Sequence, residues 1–192
     1  MKPKAIIFDL FGVLASTFNQ KWREKYVADR PEVVKDLKSI MAGLDIGTKV
    51  QADFFDAAAK AVGRTPQEVQ QEMESSFTVY PDMFALATQL RKEYKTAICS
   101  NASAPYARAL FLMKGYELND YFDKVFISSE LTLVKPDAEM FIYCAKNLGV
   151  ELTECAFVDD AEINVAAAEK LGMKAHLFTD QNLFESWLTS LG

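Results

Sequence analysis

Cysteine is scarce in this chain and does not organise into a framework. Cys99, Cys144 and Cys155 form neither a CxxC motif nor an even set, and each lies in an apolar segment. A disulfide scaffold is excluded, and buried free thiols in a reducing, cytoplasmic compartment are expected. Histidine is scarcer: His176 stands alone in an apolar, strand-like segment and reads as structural rather than catalytic. No apolar run approaches the ~20 residues that cross a bilayer. The opening, Met1 to Leu14, starts with lysines and turns apolar as a signal peptide does. Asp9 interrupts that run and no convincing small-residue cleavage site follows, so a buried first strand is expected instead. Basic residues are in deficit, 21 against 27 acidic ones, for a formal charge of −6. An acidic chain repels the phosphate backbone, so nucleic acid is not an expected partner. A small anion needs only a local gathering of positive charge. The sequence also lacks internal repeats and low-complexity tracts.

What remains is an ordinary globular composition, half hydrophobic and a quarter charged. With 192 residues there is room for one large domain, or one domain with a small insertion, and for a core that needs no staples. Short apolar runs recur at Lys4–Phe8, Thr96–Cys99, Val125–Ile127, Ala156–Val158 and Ala175–Phe178. Such runs suit strands covered on both faces. Helical patterns separate them: Phe84–Tyr94, Pro105–Lys114 before Gly115, Glu139–Leu148 between Asp137 and Gly149, Glu162–Leu171 before Gly172, and Asn182–Leu191. The alternation predicts an α/β fold, a Rossmann-like parallel sheet core with helices on both faces.

Residues 17–80 break this alternation. Phe54, Phe55, Ala58 and Val62 share one helical face, Gly63 closes that helix, and Thr65-Pro66 opens another as N-cap and first residue. The stretch predicts a small all-helical cap, residues 17–80, inserted into a core of residues 1–16 and 81–192. The turn signal Tyr80-Pro81-Asp82 marks its end.

Polar groups gather where the expected strands end. Asp9 directly follows AIIF and would face the crevice at the sheet's C-terminal edge, where open α/β sheets bind ligands. Gly12 would let the backbone turn and approach a ligand. Alone, Asp9 could equally cap a turn. Ser100-Asn101 follow TAIC, and Ser103-Ala104-Pro105 opens a helix whose N-terminal donors favour an anion. A plain Ser/Asn turn is the alternative. Lys135, in VKPD, would offer a phosphate a point charge, or else be a solvated surface lysine. Asp159-Asp160 end the run FVDD, with Asn164 one helical turn beyond Asp160. Adjacent carboxylates repel unless a cation joins them, and Mg²⁺ takes oxygen ligands while keeping waters. The alternative is a helix-capping pair. Together these segments deliver a carboxylate, a hydroxyl, an ammonium and a carboxylate pair, in that order.

In order and spacing, FDLFGVL, CSNAS, VKPD and FVDDAEIN resemble the four motifs of the haloacid dehalogenase-like (HAD) hydrolase superfamily. The ending NVAAAEKLGMKAHLF and the place of the insertion resemble members with a helical cap after the first motif, sugar-1-phosphate phosphatases among them. The resemblance implies a Mg²⁺-dependent phosphatase for a small phosphorylated metabolite. Asp9 would attack phosphorus and form an aspartyl phosphate. Ser100, Asn101 and nearby backbone N–H groups would hold the phosphoryl oxygens, and Lys135 would neutralise nucleophile and phosphate. Asp9, the carbonyl of Phe11 and Asp160 would ligate Mg²⁺, with Asp159 and Asn164 holding it partly through water. In phosphoryl transfer, positioning and charge neutralisation do most of the work.

Phe11 departs from the pattern. Phosphatases of this type usually carry a second aspartate there, as general acid and base. The metal site survives the change, because the carbonyl is the ligand. A missing acid costs ~10²–10⁴-fold, least for good leaving groups, so anomeric and acyl phosphates suit this chain better than alkyl phosphates. An aromatic residue at this position also occurs in metal-independent 2-haloacid dehalogenases, which lack the carboxylate pair. A dehalogenase is therefore the alternative function, and a catalytically weak phosphate-binding protein a third. Phe18, Trp22 and Tyr26 read as pocket lining or core, and Arg23 and Lys25 as anion contacts or surface charge. The cap carries no readable specificity motif, and the sequence leaves oligomeric state open.

Overall fold

The computed structural model describes residues 2–192. Strand β1 (Ala5–Phe8) is followed by four helices: α1 (Gln20–Tyr26), α2 (Pro31–Asp45), α3 (Gln51–Val62) and α4 (Pro66–Ser76). The chain then alternates through α5 (Pro81–Leu90), β2 (Lys95–Ser100), α6 (Ala104–Met113), α7 (Leu118–Tyr121), β3 (Lys124–Ile127) and α8 (Ser128–Leu131). It ends with α9 (Ala138–Leu148), β4 (Cys155–Asp159), α10 (Glu162–Lys170), β5 (Lys174–Leu177) and α11 (Gln181–Ser190). The strands form one parallel sheet in the order β3-β2-β1-β4-β5. Each lies where an apolar run predicts it, give or take a residue.

β1 is central, with Ile7 opposite Ala97 on one side and Phe157 on the other. Its side chains alternate between two cores, as the two-residue period of a strand requires. Ile6 and Phe8 pack with Phe84 of α5, Phe111 of α6 and Phe184 of α11. Ala5 and Ile7 pack with Phe141 and Cys144 of α9 and Ala168 of α10. Burial on both faces explains the uniformly apolar strands and gives the Rossmann-like, three-layer arrangement. Cys99, Cys144 and Cys155 are buried and unpaired. His176 stacks on Trp187 at 4.9 Å, a packing position on β5. Among the described residues, no helix is long and apolar enough to cross a membrane.

One boundary differs from expectation. Tyr80-Pro81-Asp82 is no free turn: α5 begins at Pro81 and ends at Leu90, where the pattern predicts Phe84–Tyr94. Proline at the first helical position loses no hydrogen bond and has the right φ already.

The four helices between β1 and β2 have a core of their own, built on Trp22, Leu37, Phe54, Phe55, Val69 and Met73. Thr65 caps α4 reciprocally with Glu68: Glu68 N–H donates to Thr65 Oγ1 at 3.3 Å, and Thr65 N–H to Glu68 Oε2 at 2.9 Å. Glu72 of α4 accepts from Lys25 at 2.7 Å, from Tyr26 at 3.0 Å and from Arg64, which ties α4 to α1. Two short linkers join this bundle to the sheet. They run antiparallel, with Ala15 bridged to Val79 and Ser16 N–H donating to Thr78 O at 2.8 Å.

Candidate active site

β1 delivers Asp9 to the C-terminal edge of the sheet, where its N–H extends the ladder to Val158 O at 2.8 Å. The chain then folds back tightly, Leu14 and Ala15 N–H both donating to Leu10 O. Gly12 sits in that turn at φ +97°, and a Cβ there would lie 2.2 Å from Asp160 Oδ2. Only glycine therefore lets the Asp160 carboxylate lie against the first loop.

β4 delivers the carboxylate pair. Asp159 is wholly buried; it accepts from Ala161 N–H at 2.8 Å and from the Asn164 amide at 3.0 and 3.1 Å. Its neighbour Asp160 reaches solvent. Lys135 is 4% exposed, so it is no surface lysine. Its Nζ lies 2.8 Å from Asp9 Oδ1 and 2.6 Å from Asp159 Oδ2. Asn101 positions it: the Asn101 amide donates to Lys135 O at 2.7 Å and accepts from Lys135 N–H at 2.8 Å. Both ends of that amide are thus committed to the lysine backbone.

Oxygens of Asp9, Asp159 and Asp160 lie within 4.8 Å of one another. One ammonium faces three carboxylates. Burial pushes the Asp9 carboxyl well above the usual carboxylate range, with Lys135 opposing and Asp159 adding repulsion. Burial works against the Lys135 charge as well, but Asp9 and Asp159 outweigh it and hold the ammonium protonated. Asp160 is raised by partial burial and by Asp159. A divalent cation would supply the missing positive charge. The donors are all hard oxygens, and the exposed side at Asp160 leaves room for retained waters, so the set fits Mg²⁺.

Beside Asp9 lies a cavity of about 230 Å³, between the sheet edge and the helical bundle. Ser100, Asn101, Lys135 and Asn164 line its sheet side. Phe11 lines it too, its ring packed on Phe111 at 5.9 Å and Phe77 at 6.0 Å. The expected anion site at the start of α6 is partly spent within the protein. Ala102 N–H donates to Ser128 at 3.0 Å and Ala104 N–H to Ser129 at 2.8 Å.

The bundle's side of the cavity holds residues that no motif marks. Asn19 is 2% exposed and precedes α1 without capping it. Its Nδ2 meets Met41 Sδ at 3.2 Å, and its Oδ1 has no partner. Gln51, Thr17 and Asp45 line the same wall, with Phe18, Leu44 and Phe54 between them. Burial pushes the Asp45 carboxyl up to about 6, against the opposing charge of Lys135. A helical pattern shows where the helices run, but not which residues on them or beside them face a cavity. Trp22, Arg23, Lys25 and Tyr26 stay outside the cavity lining.

The model of the family described as haloacid dehalogenase-like hydrolase matches residues 3–172. A D-ribitol-5-phosphate phosphatase of Bacteroides thetaiotaomicron is 34% identical over 186 residues, covering 89% of both chains. An N-acylneuraminate-9-phosphatase of Homo sapiens is 29% identical over 106 residues, which are 55% of this chain and 42% of that one. That match spans less than half of the human protein. A HAD family enzyme of Bacteroides thetaiotaomicron, solved in complex with magnesium and inorganic phosphate, has the same fold: TM-score 0.74 at 22% identity, covering 95% of this chain and 98% of that one. A family match over most of the chain, together with a relative of nearly the same extent, makes this protein a member of the haloacid dehalogenase-like hydrolases.

Proposed function

We propose that this hydrolase is a Mg²⁺-dependent phosphatase of small phosphorylated metabolites, working through an aspartyl phosphate on Asp9, with residues 17–80 acting as a cap over the core. One observation carries the reading. Lys135 Nζ lies 2.8 Å from Asp9 at the wall of a cavity between sheet edge and helical bundle, with two further carboxylates beside it. That arrangement holds a buried nucleophile, a fixed positive charge and an oxygen-rich cation site together. The phosphatases among its relatives support the same chemistry.

An Asp9 oxygen attacks phosphorus and the bond to the leaving oxygen breaks; water then cleaves the aspartyl phosphate and restores Asp9. Lys135 keeps Asp9 in place and balances charge on the phosphoryl oxygens, which the Ser100 hydroxyl also contacts. Asp9, the Phe11 carbonyl and Asp160 would hold Mg²⁺, with Asp159 and Asn164 orienting the site from behind. When bound, the ion supplies neutralisation of phosphoryl charge. Asn19, Gln51 and Thr17 offer hydrogen-bonding partners to hydroxyls, which suits a sugar or polyol phosphate, sugar 1-phosphates included. Three buried free thiols suit a reducing cytoplasm.

The competing reading, a metal-independent 2-haloacid dehalogenase, draws on Phe11 alone and has no use for Asp160. Purified protein assayed on 4-nitrophenyl phosphate decides between them. Turnover is expected with Mg²⁺, lost in EDTA, restored on adding Mg²⁺ back, and abolished in Asp9→Asn with unchanged circular dichroism. EDTA-resistant halide release without phosphatase activity would establish the dehalogenase instead. Phosphate binding without turnover would mark a binding protein.

A further inference from the structure

Phe11 offers no proton to a leaving oxygen, yet the cavity holds a carboxyl that the reaction above does not use. The charged side chains lining the cavity are Asp9, Lys135 and Asp45. Asp9 and Lys135 are paired with each other. Tyr106, which also lines the cavity, gives its hydroxyl to Glu74 at 3.0 Å. Asp45 projects from the opposite wall without a hydrogen bond or ion pair among the described residues.

We propose that Asp45 is the general acid–base of this hydrolase, supplied by the helical insertion in place of the aspartate that Phe11 displaces. The assignment rests on the phosphatase reading. In the first step Asp9 attacks phosphorus, the bond to the leaving oxygen breaks, and the Asp45 carboxyl gives that oxygen its proton. In the second, a water oxygen bonds to phosphorus, its proton passes to the Asp45 carboxylate, and the bond from phosphorus to Asp9 breaks. The sum is one phosphomonoester and one water converted to an alcohol and inorganic phosphate, with Asp9 and Asp45 restored.

Three features of the fold prepare Asp45 for this role. It is the last residue of α2, where the helix carbonyls present negative partial charge and favour a protonated carboxyl. It faces a largely apolar wall, which also disfavours its ionised form. Its place is fixed by a tight contact two residues on: Gly47, at φ +78°, lies so close to α8 that a Cβ would sit 3.1 Å from Ser129 O. The hydroxyl of that same Ser129 accepts from Ala104 at the start of α6. The bundle is thus seated against the core beside the acid. The charge that acts on Asp45 is that of Lys135; the other charged residue lining the cavity is Asp9, and Thr17, Asn19 and Gln51 are neutral. A carboxyl titrating at about 6 suits both proton donation and proton recovery near neutral pH.

The test compares kcat/KM with Mg²⁺ on an aryl phosphate, 4-nitrophenyl phosphate, and an alkyl phosphate, ribitol 5-phosphate. Asp45→Asn is expected to lower the alkyl rate by ~10²-fold or more and the aryl rate by less than ~10-fold, because only the poor leaving group needs the proton. Asp45→Glu should recover part of the alkyl rate. In the wild type, alkyl kcat/KM should fall as pH rises above about 6 and the acid loses its proton. That limb should vanish in Asp45→Asn. An unchanged aryl-to-alkyl ratio in Asp45→Asn overturns the assignment, as does equal loss on both substrates that Asp45→Glu fails to restore. If the wild type turns over neither phosphate, the phosphatase reading itself falls, and this assignment with it.

Discussion

Two adjacent aspartates have unlike surroundings, and the difference decides what each contributes. Asp159 is buried and accepts from Lys135, Ala161 and Asn164, so it organises the site. Asp160 reaches solvent and leans on the Gly12 turn, so its oxygens are open to an ion. Asp160→Asn is expected to weaken Mg²⁺ more than ~100-fold with little change in stability, whereas Asp159→Asn should weaken it only ~10-fold, as an outer partner does. Asp159→Asn should also cost about 2–4 kcal/mol of stability, because it leaves Lys135 buried with one partner fewer. Mg²⁺ titrations of activity and urea denaturation measure both effects. Equal Mg²⁺ affinities would show that the ligand assignment is wrong. At this scale Asp9, Ser100 and the aspartate pair were legible because each ends or follows a strand, and Lys135 because it precedes a helix opening. Asp45 was not. Its significance comes from the cavity that two distant segments enclose, and no local pattern encodes that.

The helical insertion is held together partly by charge. The Lys25 ammonium, joined by Arg64 and Tyr26, holds the Glu72 carboxyl down at about 2 from an ordinary 4.5. A carboxylate with a depressed folded-state pKa stabilises the fold fully above its ordinary value. That contribution is lost as pH falls through the depressed value. The α1–α4 contact should therefore loosen between about pH 4.5 and 2. The pair is part-exposed, so the whole effect is expected to be about 1 kcal/mol or less. Trp22, packed on Tyr26 at 5.4 Å, reports it. In a Trp187→Phe background its fluorescence should change across that window, and Glu72→Gln should remove the change. An identical acid profile in both proteins would sink the idea. Two of the four helices, α3 and α4, were readable from local signals such as the Gly63 stop and the Thr65–Glu68 cap, whereas α1 and α2 carried no such cap or stop. The start of α5 was misjudged because proline announces a helix's first residue as readily as a turn.

At the scale of the whole molecule, three carboxylates crowd one ammonium, and a bound cation would relieve their repulsion. If Mg²⁺ binds only the folded state, about 100 times its Kd is expected to stabilise that state by ~2.7 kcal/mol. For a chain of this size that corresponds to a Tm rise of ~5–10 °C. Differential scanning fluorimetry with and without Mg²⁺ should show the rise in the wild type and lose most of it in Asp160→Asn. A wild-type Tm indifferent to Mg²⁺ would contradict a specific cation site.

The sequence by itself announced the sheet, a run of helices between β1 and β2, and polar residues at the strand ends, Asp9, Ser100, Asp159 and Asp160. Strands buried on both faces must be uniformly apolar, and the polar residues that end them must then sit along one edge of a parallel sheet. Tertiary structure alone decided that Lys135 is buried between Asp9 and Asp159, and that Asn101 serves its backbone. It alone brought Asn19 and Asp45 to the wall across from Asp9. Those placements depend on how the bundle seats on the core, through contacts such as Gly47 against Ser129. Segments far apart in the chain meet there, and periodicity along a single segment carries no information about such a meeting.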